Sequence, residues 1–212
     1  MRITSLEERP RSMVAALMDL PNIITLFGLC MSVIAIISTI KGKYELSLIF
    51  ALFAVASDWV DGWVATWMRS RAPHMNEIGA NLDSFADLVS SAIYPMVVVV
   101  CVSPDSVLNY VAAMFIACTG ILRLSFFNVY GATPDGKVLG LPIAHNVLAM
   151  AAVVALASWL QMQAIWSKVA ALYVLFAVAN VSPFYFPRES PKIVPAVLLY
   201  IAAMCFLLWE LT

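Results

Sequence analysis

Long apolar runs alternate with short polar breaks along almost the whole chain, which predicts a series of membrane-crossing helices. The first begins at Pro21, a favoured first helical residue, with Asp19 before it, and runs to about Ile40, where Lys41, Gly42 and Lys43 interrupt it. Further spans are expected at about 45–68, 78–101, 107–129, 143–161, 165–182 and 192–210, the fifth and sixth being short. Seven spans is the expectation, with six or eight allowed by drift of the boundaries. The connection 183–191 carries Pro183, Pro187 and Pro191 and has no helical pattern. Before the spans, residues 5–18 suit a short amphipathic helix on the membrane surface. Glu7, Glu8, Arg9 and Arg11 precede any apolar run, unlike a cleavable signal. The fold class is therefore all-α, a polytopic transmembrane helical bundle. With no internal repeat and no soluble segment, residues 1–212 read as one domain.

Composition agrees with this pattern. Hydrophobic residues make up 63% of the chain and charged residues 12%, about half of what a soluble surface needs. A net charge of -1 argues against a nucleic-acid partner, because no basic face exists to displace counterions. Cys30, Cys101, Cys118 and Cys205 are scattered through apolar stretches without metal spacing and are expected to pack in helices. With the N-terminus inside, the inner segments hold Arg2, Arg9, Arg11, Arg69, Arg71, Lys137, Arg188 and Lys192. The outer ones hold only Lys41, Lys43 and Lys168. That bias orients the protein N-in and C-out.

Four acids stand out against this background. Asp58 and Asp61 lie three residues apart, Asp83 and Asp87 four apart, so each pair shares a helical face. On the expected topology both pairs fall in the inner halves of their spans, and Arg123 and His145 lie at the same depth. Carboxylates in hydrocarbon cost several kcal/mol unless neutralised, and converging ones also repel. Protonation is one remedy. Two divalent cations are the other, and magnesium or manganese suits carboxylate oxygens. Gly62, Ala65 and Gly79 have little or no side chain to keep a nucleotide or phosphate away. Arg123, an arginine within an apolar helix, needs an anion, and its fork suits a carboxylate or phosphate, with Asn128, Lys137 and His145 as weaker candidates. Trp59, Trp63 and Trp67 form a four-residue series expected to lie opposite much of the aspartate face and to meet lipid or other helices.

The segment from Asp58 to Asp87 resembles the signature of the CDP-alcohol phosphotransferase family, D-x2-D-G-x2-A-R-x8-G-x3-D-x3-D. The matching residues are Asp58, Asp61, Gly62, Ala65, Gly79, Asp83 and Asp87. Two features depart from it. Thr66 replaces the motif arginine, and twelve residues rather than eight separate Thr66 from Gly79. Arg69, one turn beyond Ala65, is the first substitute for the missing cation and Arg71 the second. Pro73 is expected to end the helix in this longer connection, leaving His74 in a loop. ACTGILRLSFFN at 117–128, GLPI at 140–143 and LDSFADLVSSAIYP at 82–95 are similar to the phosphatidylserine synthase branch.

The resemblance implies transfer of a phosphatidyl group from CDP-diacylglycerol to an alcohol, with release of CMP. It also implies two divalent ions on Asp58, Asp61, Asp83 and Asp87, and a homodimer. Asp83 and Asp87 are then catalytic, Asp87 accepting the hydroxyl proton, and the branch favours L-serine as acceptor. The lipid's chains would stay in the cell membrane while the active site opens to the cytoplasm. Inositol phosphate, glycerol phosphate or an amino alcohol is the nearest alternative acceptor. A cation or proton transporter is the alternative of a different class.

Overall fold

The computed structural model describes residues 19–68, 73–162, 164–187 and 190–212, together with Ser12 and Val14. The amphipathic segment expected at 5–18, and both Arg69 and Arg71, lie outside the described residues. Five helical stretches among them are long and apolar enough to cross a membrane, and two shorter apolar helices follow the fourth. The all-α membrane architecture is thus as expected, with seven apolar helical elements among the described residues, five of them of spanning length.

Helix α1 is Leu20–Ile40, capped by the Asp19 side chain, which accepts from the Asn22 amide at 3.1 Å. Its partner α2 is Tyr44–Trp67. Gly28 lets the two close on each other, since a Cβ there would lie 2.8 Å from the Ser57 Cβ. The third span combines α3, Pro73–Leu88, a wide π turn at Val89–Ile93, and α4, Tyr94–Val102. Pro73 opens this helix instead of ending the one before, as suits a residue with no amide to donate. The span therefore starts five residues earlier than expected, and His74 belongs to its first turn.

Helix α5 is Val107–Tyr130, followed by a short strand, β1, at Lys137–Leu139. Helix α6 is Ala144–Trp159, about 24 Å long at 1.5 Å per residue and thus shorter than the hydrocarbon layer. A 3-10 turn at Ile165–Lys168 leads into α7, Val169–Val181. Strand β2, Tyr185–Pro187, and a second 3-10 turn precede α8, Val194–Trp209. β1 and β2 pair antiparallel, Val138 opposite Phe186, so the connections α5–α6 and α7–α8 meet at one end of the bundle. Gly140 makes that junction tight. Its φ is +74°, and a Cβ would fall 2.1 Å from the Asn180 carbonyl oxygen.

Leu48, Leu52, Val55, Val99, Val147, Met150 and Val154 fill the interior, whereas Leu108, Leu175 and Leu199 face outward. This apolar exterior is what a bilayer solvates. Cys30 and Cys118 face outward too, contrary to the packing expected of them, and Cys101 and Cys205 are half-buried.

Candidate active site

Asp58 comes from α2, and Asp83 and Asp87 from α3. Carboxylate oxygens from these three lie within 4.8 Å of one another. All are half-buried, whereas Asp61 is 6% exposed. Asp61 turns toward α1, where the Thr25 hydroxyl donates to its Oδ2. A small cavity of about 10 Å³ brings all four acids together with Thr25 and Gly28, which is room for about one water-sized body.

On their other side Asp58, Asp83 and Asp87 border a much larger cavity of about 580 Å³. Its rim includes Thr66 at the end of α2, Pro142 and His145 at the start of α6, and Ser190 and Pro191 before α8. The rim thus lies at the bundle end where β1 and β2 meet, among the connections that carry the excess of positive charge. Arg123 is 9% exposed on the same wall, its guanidinium carbon 4.9 Å from the centre of the Phe127 ring. It is close enough to Asp87 to interact with it electrostatically. A guanidinium and three carboxylates therefore face one volume. The donor set is all oxygen, without histidine or thiolate, and fits a hard divalent cation.

The expected substrate-contact residues divide. Gly62 lines the large cavity, and a Cβ there would meet nothing within 4 Å, so packing does not require the glycine. Arg123 and His145 line it as well, the His145 ring set edge-on to Phe186 at 5.1 Å. Ala65 and Gly79 are half-buried but do not line it. Ala65 continues the Asp61 side of α2 rather than the Gly62–Thr66 side. Asn128 is exposed, and its amide donates to the Ser84 hydroxyl at 3.0 Å, tying α5 to α3 next to Asp83. Lys137 is exposed on β1, 2.8 Å from Asp135. The hydrogen bond from Lys137 holds the Asp135 carboxyl down at about 2, and Asp135 in turn raises Lys137.

Trp59 and Trp63, expected opposite the acids, line the large cavity beside them. Residue 59 follows 58 by only 100° around the helix, so the two rows are neighbours. Trp67 is 66% exposed and rests edge-on against Trp63, as a lipid-facing ring would. Thr66 does not replace the motif arginine's charge. Its hydroxyl donates to the Trp63 carbonyl at 2.6 Å. Thr25 escaped the sequence reading, because one hydroxyl within an apolar helix is a common and weak signal.

A helical membrane bundle with paired carboxylates facing a nucleotide-sized cavity defines a class, and residues 18–179 match the model of the CDP-alcohol phosphatidyltransferase family; the chain belongs to that family. It is also 28% identical over 179 residues to the archaetidylserine synthase of Methanothermobacter thermautotrophicus, across 82% of this chain and 72% of that protein. Membership makes it a membrane transferase of phospholipid synthesis, acting on a CDP-alcohol and an alcohol acceptor.

Proposed function

We propose that the protein transfers a phosphatidyl group from CDP-diacylglycerol to L-serine, giving phosphatidylserine and CMP, on lipid tails that are ester- or ether-linked. The observation that carries this reading is the shared cavity, in which Asp58, Asp83 and Asp87 face the same space as Arg123. Serine is supported by the relative, whose name specifies a serine product, and by Arg123, whose planar fork suits a carboxylate.

Asp58, Asp61, Asp83 and Asp87 would hold two divalent cations, Mg2+ or Mn2+. Bound there, they would neutralise the pyrophosphate and stabilise the departing CMP. Gly62 leaves room for the nucleotide. Arg123 pairs with the serine carboxylate and turns the hydroxyl toward the lipid-side phosphorus. The hydroxyl oxygen bonds to that phosphorus as the phosphorus–oxygen bond to CMP breaks, and the hydroxyl proton passes to the Asp87 carboxylate. Keeping both tails in the bilayer avoids about 0.8 kcal/mol for each CH2 that would otherwise meet water. Lys137 and Asn128 act at the margin, Asn128 by fixing α3 beside Asp83 through Ser84. Ala65 and Gly79 assist by close packing around the acid-bearing helices. Arg69 supplies phosphate-side charge in place of the motif arginine. The assembly is a homodimer in the cell membrane. Its cavity opens to the cytoplasm, in keeping with the cationic connections at that end.

Purified protein supplied with CDP-diacylglycerol, Mn2+ or Mg2+ and a panel of hydroxyl acceptors tests this. CMP release that needs both metal and L-serine is expected. Release with glycerol phosphate or inositol phosphate but not serine would reject the acceptor, and no release with any acceptor would reject the reaction.

A further inference from the structure

Three of the four acids gather within 4.8 Å, and the fourth, Asp61, accepts a hydrogen bond from a side chain outside the family signature. Thr25 lies one turn before Gly28 on α1 and is 5% exposed. Its hydroxyl reaches Asp61 Oδ2 across the α1–α2 seam. The seam is close because of Gly28, where a Cβ would also come 3.3 Å from the Ala54 carbonyl oxygen. The same hydroxyl lies 3.1 Å from the Pro21 carbonyl oxygen, its natural partner four residues back in the helix. A hydroxyl has one proton, and here a second acceptor competes with the intrahelical one. An ordinary helical threonine needs no such partner.

We infer that Thr25 is a positioning residue for Asp61, fixing one carboxylate oxygen so that the other is presented to the small cavity shared by the four acids. This rests on the reading of those acids as cation ligands. A ligating carboxylate has two oxygens and needs only one for the metal. The other is normally tied by a neighbouring donor that sets the carboxylate's orientation, and loss of such a donor typically weakens metal binding by about 10- to 100-fold. Thr25 occupies that place for Asp61. Among the described residues, no corresponding threonine bond holds Asp58, Asp83 or Asp87. The arrangement is unequal: Asp58, Asp83 and Asp87 converge from α2 and α3, with Arg123 beside Asp87, and the fourth acid is aimed by a hydroxyl from a different helix.

Mn2+ titration of the purified full-length protein, read from the electron paramagnetic resonance signal of free Mn2+ without nucleotide or lipid substrate, tests this apart from activity. Thr25→Val, which keeps the shape and removes the donor, is expected to weaken the lower-affinity part of the titration by about 10- to 100-fold. Thr25→Ser, which restores the donor, is expected to recover it, with all three proteins folded at the titration temperature and metal-free Thr25→Val unfolding at a slightly lower temperature than the other two. If Thr25→Val fails to fold, Thr25→Ala provides the same comparison. Superimposable titrations of wild type and the donor-free variant would overturn the inference, as would Thr25→Ser binding as poorly as Thr25→Val. A wild type that releases no CMP yet shows this Mn2+ pattern would defeat the proposed reaction and leave the role of Thr25 standing. Normal CMP release with unaltered Mn2+ binding in Thr25→Val would do the reverse.

Discussion

Two groups of polar side chains are buried in this bundle, about 16 Å apart along α2, and the bundle treats them in opposite ways. Near the start of α2, Ser47 Oγ lies 2.5 Å from Thr39 Oγ1, 2.9 Å from the Ala35 carbonyl oxygen and 3.2 Å from the Tyr94 hydroxyl. Hydroxyls both donate and accept, so this group is satisfied within the protein. Near the other end, Asp58, Asp83 and Asp87 present like groups to one another. Ionised carboxylates only accept, and they cannot satisfy each other. The difference separates polar residues that bind the bundle to itself from those whose chemistry calls for something added. Both groups interrupt apolar helices, and hydropathy alone does not tell them apart.

The sharpest way to test that contrast is to remove one acid. Asp87→Asn is expected to reduce CMP release by at least about 1,000-fold, or ~4 kcal/mol of barrier, in a metal-dependent release assay. If Asp87 acts as the proton acceptor, the variant keeps its Mn2+ in an equilibrium titration. Loss of Mn2+ would assign it to ligation alone. Arg123→Met comes next. Removing one charge-assisted pair should raise the KM for serine by about 10- to 100-fold while leaving KM for the nucleotide lipid nearly unchanged. Equal changes in both constants would take Arg123 out of the acceptor's recognition.

Ser47→Ala probes the satisfied group. It is expected to lower stability by about 1 kcal/mol, seen as a lower unfolding temperature, with kcat and KM retained. A large loss of activity at normal stability would dissolve the distinction between the two regions. The smallest effect belongs to the exposed pair. Asp135→Asn should leave activity unchanged, and the pair should add no pH dependence between pH 5 and 8. A carboxyl held at about 2 contributes whatever stability it has above its ordinary range and loses it only as pH falls through about 2, so both partners stay charged in that window.

The spans were legible because most are apolar runs closed by Gly, Pro or a basic residue, and the two short ones reappear as the two shorter apolar helices. Boundaries were less so. Pro73 can either stop a helix or start one, and sequence cannot decide which neighbour takes it. The acids were legible through their three- and four-residue spacing in apolar surroundings. Their grouping as three plus one was not. Asp58 and Asp61 differ by 60° around α2, enough for one to face α3 and the other α1, and which helix lies on which side is a tertiary fact. Trp59 and Trp63 were misjudged for the same reason. Asn128 and Lys137 looked like entrance residues by position, yet each has a neighbour, Ser84 and Asp135, that accounts for its polar group.

The wide turn at Val89–Ile93 divides the third span just after Asp87. Hydrogen bonding there skips one residue farther than in an α-helix, so the angular phase of α4 is reset relative to α3. Tyr94 and Val98 can thus be seated by their own neighbours without dictating where Asp83 and Asp87 point. A splice of this kind lets half of one rod be retuned while the other half keeps its alignment.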